Sequence, residues 1–180
     1  MFGGIILRLY LRPIQEDDGK LIVKWHNSPI VLDRCLNKGL ITEESNSLFF
    51  KKYILTGKYK QFIVEKIIEP YGVASYSIAT VYLKDIDQYN QRCEMCMFTS
   101  YEEEWNSECK RMAIELLLEK AFFEYGMRKI YTFVNAKYKE DVECLKGIGF
   151  YEECILKDEV IDSAGNPNDV LRMCMFSEKC

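Results

Sequence analysis

The sequence predicts an α/β (α+β) fold in which a mixed, mostly antiparallel sheet of seven strands is flanked by about four helices. Two observations carry this. Between Trp105 and Phe150 a long helix, a strand, a second helix and the start of another strand follow one another, and a helix set between two strands is how parallel or mixed pairing arises. On either side of that stretch, short apolar segments alternate with turn residues, the pattern of antiparallel hairpins.

Taken in order, Ile5 to Arg12 alternates and stops at Pro13, which makes it the first strand. Gln15 to Asp18 opens a helix through Leu21, Ile22 and Trp25 that closes near Asn27, Ser28 and Pro29. Pro29 to Leu40 is expected as a loop. Thr42 is an N-cap followed by acidic first-turn residues, heading a helix through Leu48, Phe49, Tyr53 and Ile54 that ends at Gly57. The two helices and the loop make a segment of the size of a lid. Tyr59 to Ile67 and Tyr71 to Leu83 form a hairpin turning between Glu69 and Gly72, and Arg92 to Ser100 is a further strand.

The central helix, expected from about Glu108 to Tyr125, repeats Met112, Ala113, Leu116, Leu117 and Ala121 at helical spacing, and Gly126 offers a stop. Lys129 to Val134 is short, β-branched and aromatic, as an interior strand should be. The next helix places Tyr138, Val142 and Leu145 on one face and is broken by Gly147 and Gly149. Phe150 to Lys157 and Asp169 to Ser177 flank a long hairpin loop from Asp162 to Asn168.

A chain of 180 residues, 48% apolar and 29% charged with four prolines, suits one domain spanning residues 1–180. Its net charge of −4 disfavours nucleic acid, whose phosphates call for a basic surface, and fits a cationic or amine partner better. The apolar run from Gly3 to Leu7 is too short for a signal sequence or a membrane span, so the expected location is cytoplasmic with no membrane partner. In that setting the eight cysteines are expected to be reduced packing residues. Cys93 and Cys96 have the spacing of a metal pair, but an offset of three on a strand points them to opposite faces, so no metal site is expected.

Leu11, Arg12, Pro13, Asp18, Trp25 and Asn27 near the start, Gly147 to Phe150 after the last helix, and Asp169 with Met173 in the closing strand together resemble the GNAT superfamily of acyl-CoA-dependent N-acetyltransferases. The likeness covers nearly the whole chain and is strongest to the branch holding spermidine, ribosomal-protein and amino-sugar acetyltransferases. It implies acetyl-CoA as co-substrate and a small amine, amino sugar or protein N-terminus as acceptor, with direct attack of the amine on the thioester. A homodimer is compatible with it. A GNAT-fold binding or regulatory module without catalysis is the alternative.

The resemblance implies a cofactor site on Phe98, Thr99, Ser100, Trp105, Asn106, Ser107, Cys109, Lys110, Arg111, Asn135 and Tyr138. The family's diphosphate loop resembles W-G-K-G-Y-A-T-E-A, and Trp105 to Ala113 matches it without the glycines. Those glycines would allow positive φ and close approach of N–H groups to phosphate. Asn106 tolerates a left-handed conformation, but Glu108 about 4 Å from a phosphate would cost on the order of 4 kcal/mol at an effective dielectric of 20. Its side chain is therefore expected to point outward, or else the pocket holds no diphosphate in the usual way. Lys110 and Arg111 could offset part of the repulsion.

Two positions that relatives use, for the pantetheine arm and for protonating the thiolate, fall on Tyr138 and Leu145, where a packed helix face is the ordinary role. Glu94 lies where this branch frequently has a glutamate and is the candidate catalytic base; a strand-end salt bridge is its ordinary alternative. His26 is the one histidine and belongs to the surface or the lid, leaving no support for a histidine-centred triad. Cys109, near a helix N-terminus, invites a lowered pKa, although a buried thiol is the common outcome.

Overall fold

The computed structural model describes residues 8–36, 38–68, 74–100 and 103–177. The strands are β1 (Leu9–Pro13), β2 (Lys60–Ile67), β3 (Ser75–Asp87), β4 (Arg92–Phe98), β5 (Lys129–Asn135), β6 (Tyr151–Ile161) and β7 (Pro167–Phe176). They form one seven-stranded sheet in the order β1-β2-β3-β4-β5-β7-β6. β4 and β5 run parallel and the other neighbours antiparallel, as a helical crossover between β4 and β5 demands. The turn expected between Glu69 and Gly72, the apolar run before Arg8, and Cys180 lie outside the described residues.

The helices are α1 (Gly19–His26), α2 (Pro29–Arg34), α3 (Glu43–Phe49), α4 (Ser107–Glu119) and α5 (Lys139–Ile148). α2 corrects the expectation of a loop after Pro29. Proline at the first helical position lacks only an N–H that has no partner there anyway, and Ser28 Oγ accepts the Val31 N–H at 3.4 Å. Thr42 caps α3 as expected, exchanging bonds with Ser45. α3 and α4 each run on into a wider, π-type turn, Phe50–Ile54 and Lys120–Glu124, which carries the central helix to its predicted end.

The residues behind the family resemblance are mostly structural. Arg12 holds Asp18 through two bonds of 2.7 Å and Glu65 through a third of 2.9 Å, tying β1, β2 and the start of the lid. Asn27 exchanges two bonds with the backbone of Ile41, at 2.7 and 3.0 Å, which seats the far end of the lid on α1. Trp25 and Met173 are wholly buried.

Two cores lie on opposite faces, since Ile63 packs in one while its neighbours Phe62 and Val64 pack in the other. Under α1 and α3 lie Ile14, Ile22, Trp25, Phe50 and Ile63. Under α4 and α5, Ala113, Ile114, Leu117, Val142 and Leu145 meet Val64, Val81, Met95 and Ile130.

α5 ends where Gly149 adopts φ 118°, with Gly149 N bonded to Lys146 O at 3.0 Å and Phe150 N to Leu145 O at 3.0 Å. This is a Schellman ending, and it needs a residue tolerant of positive φ. Gly149→Ala is expected to lower stability by about 1–3 kcal/mol, measured by urea denaturation. An unchanged midpoint would show that the backbone can relax there.

Candidate active site

β4 and β5 part company early. Their parallel ladder covers three pairs and ends at Glu94 and Tyr131. Beyond it β4 stays with β3 as far as Phe98, and β5 stays with β7 as far as Asn135. The two strand ends splay, leaving facing edges whose inward N–H and C=O groups have no sheet partner. A cavity of about 1090 Å³ occupies this gap. It opens through the sheet, reaching α4 and α5 on one side and the lid of α1 to α3 on the other.

Of the residues expected from sequence, Glu94, Phe98, Thr99, Trp105, Asn106, Ser107, Lys110, Asn135 and Tyr138 line this cavity. Ser100, Cys109 and Arg111 do not. Helical geometry explains the last two: each residue advances about 100° around the axis, so placing Lys110 at the cavity turns Cys109 into the core and Arg111 away. Cys109 is fully buried, and burial raises its thiol pKa rather than lowering it. Arg111 pairs with exposed Glu115 at 2.8 Å. Ser100, past the end of β4, is half-buried outside the cavity. Glu108 is exposed and outside the cavity, as expected.

The glycine-free loop forms without a left-handed residue. Asn106 is extended, with φ −70° and ψ 172°, and its Oδ1 accepts the Cys109 N–H at 2.9 Å. This is an ordinary N-cap. It leaves the Ser107 and Glu108 amides at the positive end of a thirteen-residue helix, and Lys110 of the same helix lines the cavity. Lys110 is held by Asp141, which Arg34 also contacts at 3.1 Å.

α2 and α5 are clasped across this mouth. Asp33 accepts bonds from the Tyr138 hydroxyl and from Lys137 Nζ, the latter at 3.1 Å, and the two hold its carboxyl at about 2. The Arg34 guanidinium lies 4.9 Å from the centroid of the Tyr138 ring.

On the lid side, Glu94 is 5% exposed. It pairs with Lys84 at 3.0 Å, directly opposite on β3, and accepts the Cys96 thiol at 3.2 Å. Burial, then the nearby carboxylate of Glu94, keeps the Cys96 thiol far above its ordinary range. Burial works against the Lys84 charge, but its pairing with the Glu94 carboxylate outweighs it and leaves its pKa raised. Sequence reasoning missed Lys84. Its signal was a hairpin from β3 to β4 with Asp87 to Gln91 as the turn, which sets Lys84 against Glu94. Cys93 and Cys96 do face opposite ways: Cys93 lies in the α4 core and Cys96 lines the cavity. Among the described residues no group of His, Cys, Asp and Glu is placed to hold a metal.

This architecture recurs in solved structures. Spermidine N-acetyltransferase from Vibrio cholerae in complex with CoA and spermine aligns with a TM-score of 0.85 at 22% identity, over 95% of this chain and 96% of that one. The chain has the GNAT fold. A dodecameric structure of the Vibrio cholerae enzyme in an intermediate state matches with a TM-score of 0.80 at 22% identity, covering 95% of each chain. No family model matches the sequence, and no curated protein does. Among the described residues no helix is long and apolar enough to cross a membrane.

Proposed function

We propose that this chain is an acetyl-CoA-dependent N-acetyltransferase acting on a primary amine. The observation that carries the reading is the splay of β4 from β5, with a cavity running through it from the α4 N-terminus to a buried carboxylate, Glu94. The neighbour named for its complex with CoA and spermine supports it. Acetyl-CoA supplies an activated acetyl thioester. The residues present fit such a ligand: the Ser107 and Glu108 amides with Lys110 suit the diphosphate, Phe98, Thr99, Asn135 and Tyr138 flank the gap for the pantetheine arm, and the β4 edge offers N–H donors to the carbonyl oxygen.

The acceptor amine enters from the lid side. Glu94 takes its proton as the new N–C bond forms and the C–S bond breaks, and the departing thiolate is protonated through solvent, to which Glu94 gives up the proton it took. Leu145, buried at the cavity wall, brings no hydroxyl to that step. That observation favours the second reading, a GNAT-fold binding or regulatory module without catalysis.

Calorimetry with acetyl-CoA, paired with a CoA-release assay on an amine panel, tests the proposal; binding without turnover of any amine supports the second reading instead. Lys110→Ala is expected to weaken acetyl-CoA about tenfold, or 1.4 kcal/mol, because one charge-assisted contact to the diphosphate is lost. Arg111→Ala, already paired away from the cavity, should change affinity less than about twofold. Glu108→Gly should not tighten binding, since its carboxylate is outside the site. Equal losses at Lys110 and Arg111 would sink this placement of the diphosphate.

Self-association is part of the proposal, motivated by the dodecameric neighbour and by edge strand β6, which exposes Tyr151, Ile155 and Ile161. A homodimer is the smallest assembly that would cover that edge. A cytoplasmic, single-domain protein remains our reading.

A further inference from the structure

Resting on the acetyltransferase reading, we infer that the acceptor is a small arylalkylamine, one ammonium on a short chain bearing an aromatic ring, rather than a polyamine. Five rings from five parts of the chain line the lid side of the cavity: His26 on α1, Phe49 on α3, Tyr59 ahead of β2, Tyr82 on β3 and Phe98 on β4. They touch in series. Ring centroids lie 5.1 Å apart for Phe49 and Tyr59, 6.2 Å for Tyr59 and Tyr82, 6.2 Å for Tyr82 and Phe98, and 5.7 Å for Phe98 and His26. Tyr59 and Tyr82 are stacked at 12°, and the other three contacts are edge to face at 76° to 88°. The result is an arc of edges and faces that another aromatic ring can join.

The charges point the same way. Among the described residues the cavity is lined by three carboxylates, and two of them, Glu140 and Asp141, stand at the α5 mouth. The one on the ring side is Glu94, and Lys84 already neutralises it. A polyamine would bring several ammonium groups into a space with no row of carboxylates, where each unpaired charge loses its hydration without return. A monoamine carries no further charge once its reacting nitrogen has given up its proton to Glu94, so this one carboxylate suffices, and its ring finds the aromatic arc. The Asn27 clamp on Ile41 and the Asp33 clasp on Tyr138 hold the lid over this space, so the arc is pre-formed.

The test compares CoA release with 2-phenylethylamine, tyramine, n-butylamine and spermidine, in the full chain whose acetyl-CoA binding has been measured by calorimetry. The aromatic amines are expected to exceed both n-butylamine and spermidine at least about tenfold in kcat/KM, the size of discrimination an apolar pocket gives. Tyr59→Leu should cut the ratio of 2-phenylethylamine to n-butylamine at least about fivefold, and Tyr59→Phe should keep it, because the ring is what counts. Acetyl-CoA affinity and the melting temperature of each variant identify any that fail to fold, and Phe49→Leu then serves in place of Tyr59→Leu. Spermidine equal to or better than 2-phenylethylamine overturns the inference while leaving the acetyltransferase reading intact. Absence of acetyl-CoA binding by the unaltered chain overturns both.

Discussion

Replacing Glu94 by glutamine is expected to lower kcat for amine acetylation by about 10²–10⁴-fold, the usual contribution of a positioned general base, with little change in acetyl-CoA affinity. Glutamine keeps the shape of the side chain and a carbonyl oxygen for Lys84 and Cys96, but it cannot take a proton from the amine. In the proposed arrangement acetyl-CoA is held from the α4 side of the gap and does not depend on that charge. The substitution therefore separates the two roles open to Glu94. If its work is the ion pair with Lys84 across the β3 and β4 ladder, the fold loses some stability and turnover per folded molecule stays within about tenfold. Single-turnover acetylation at saturating acetyl-CoA, beside a melting curve of the same sample, distinguishes these outcomes.

The second large effect is on stability. Leu117→Ala should lower the free energy of unfolding by about 2–5 kcal/mol, the range for buried leucine truncations, equivalent to a fall of roughly 4–20 °C in melting temperature for a chain of this size. Leu117 is fully buried on α4, packed in the core that joins this helix to the sheet. Its removal leaves a hole that neighbours anchored in β-strands cannot easily fill. The same helix places Asn106, Ser107 and Lys110 at the cavity, so acetyl-CoA affinity should also drop as the N-terminal turn loses its seat. Calorimetric unfolding with and without acetyl-CoA measures both. A loss below about 1 kcal/mol would mean the core closes over the gap more readily than packed interiors usually do.

Much of the fold was legible before any coordinates. Strict alternation marks strands because successive side chains leave opposite faces, and the 3.6-residue period of Met112, Ala113, Leu116, Leu117 and Ala121 marks α4 because a helix must bury one stripe. The parallel pairing of β4 with β5 followed from the helix between them. α2 was missed although its signal was present: Ser28 and Pro29 end one helix and begin another, and proline serves both purposes.

The candidate site was legible as a region and only partly as residues. Asn106, Ser107 and Lys110 lie in the predicted loop and line the cavity, whereas Cys109 and Arg111 lie in the same loop and do not, because the direction of each side chain depends on how α4 is rotated against the sheet. That rotation is decided by packing of Ile114 and Leu117, not by any local preference. Tyr59 and Phe49 are distant in sequence from Glu94 and carry no motif, and Lys84 and Tyr82 reach its side of the sheet through the register of the β3–β4 hairpin. Strand register and the seating of the lid bring them together. Local sequence thus determined the order and type of elements through periodicity and capping, while the aromatic arc, the Lys84 partner of Glu94 and the outward turn of Arg111 were decided by tertiary structure, since long-range contacts set which face of each element meets the gap.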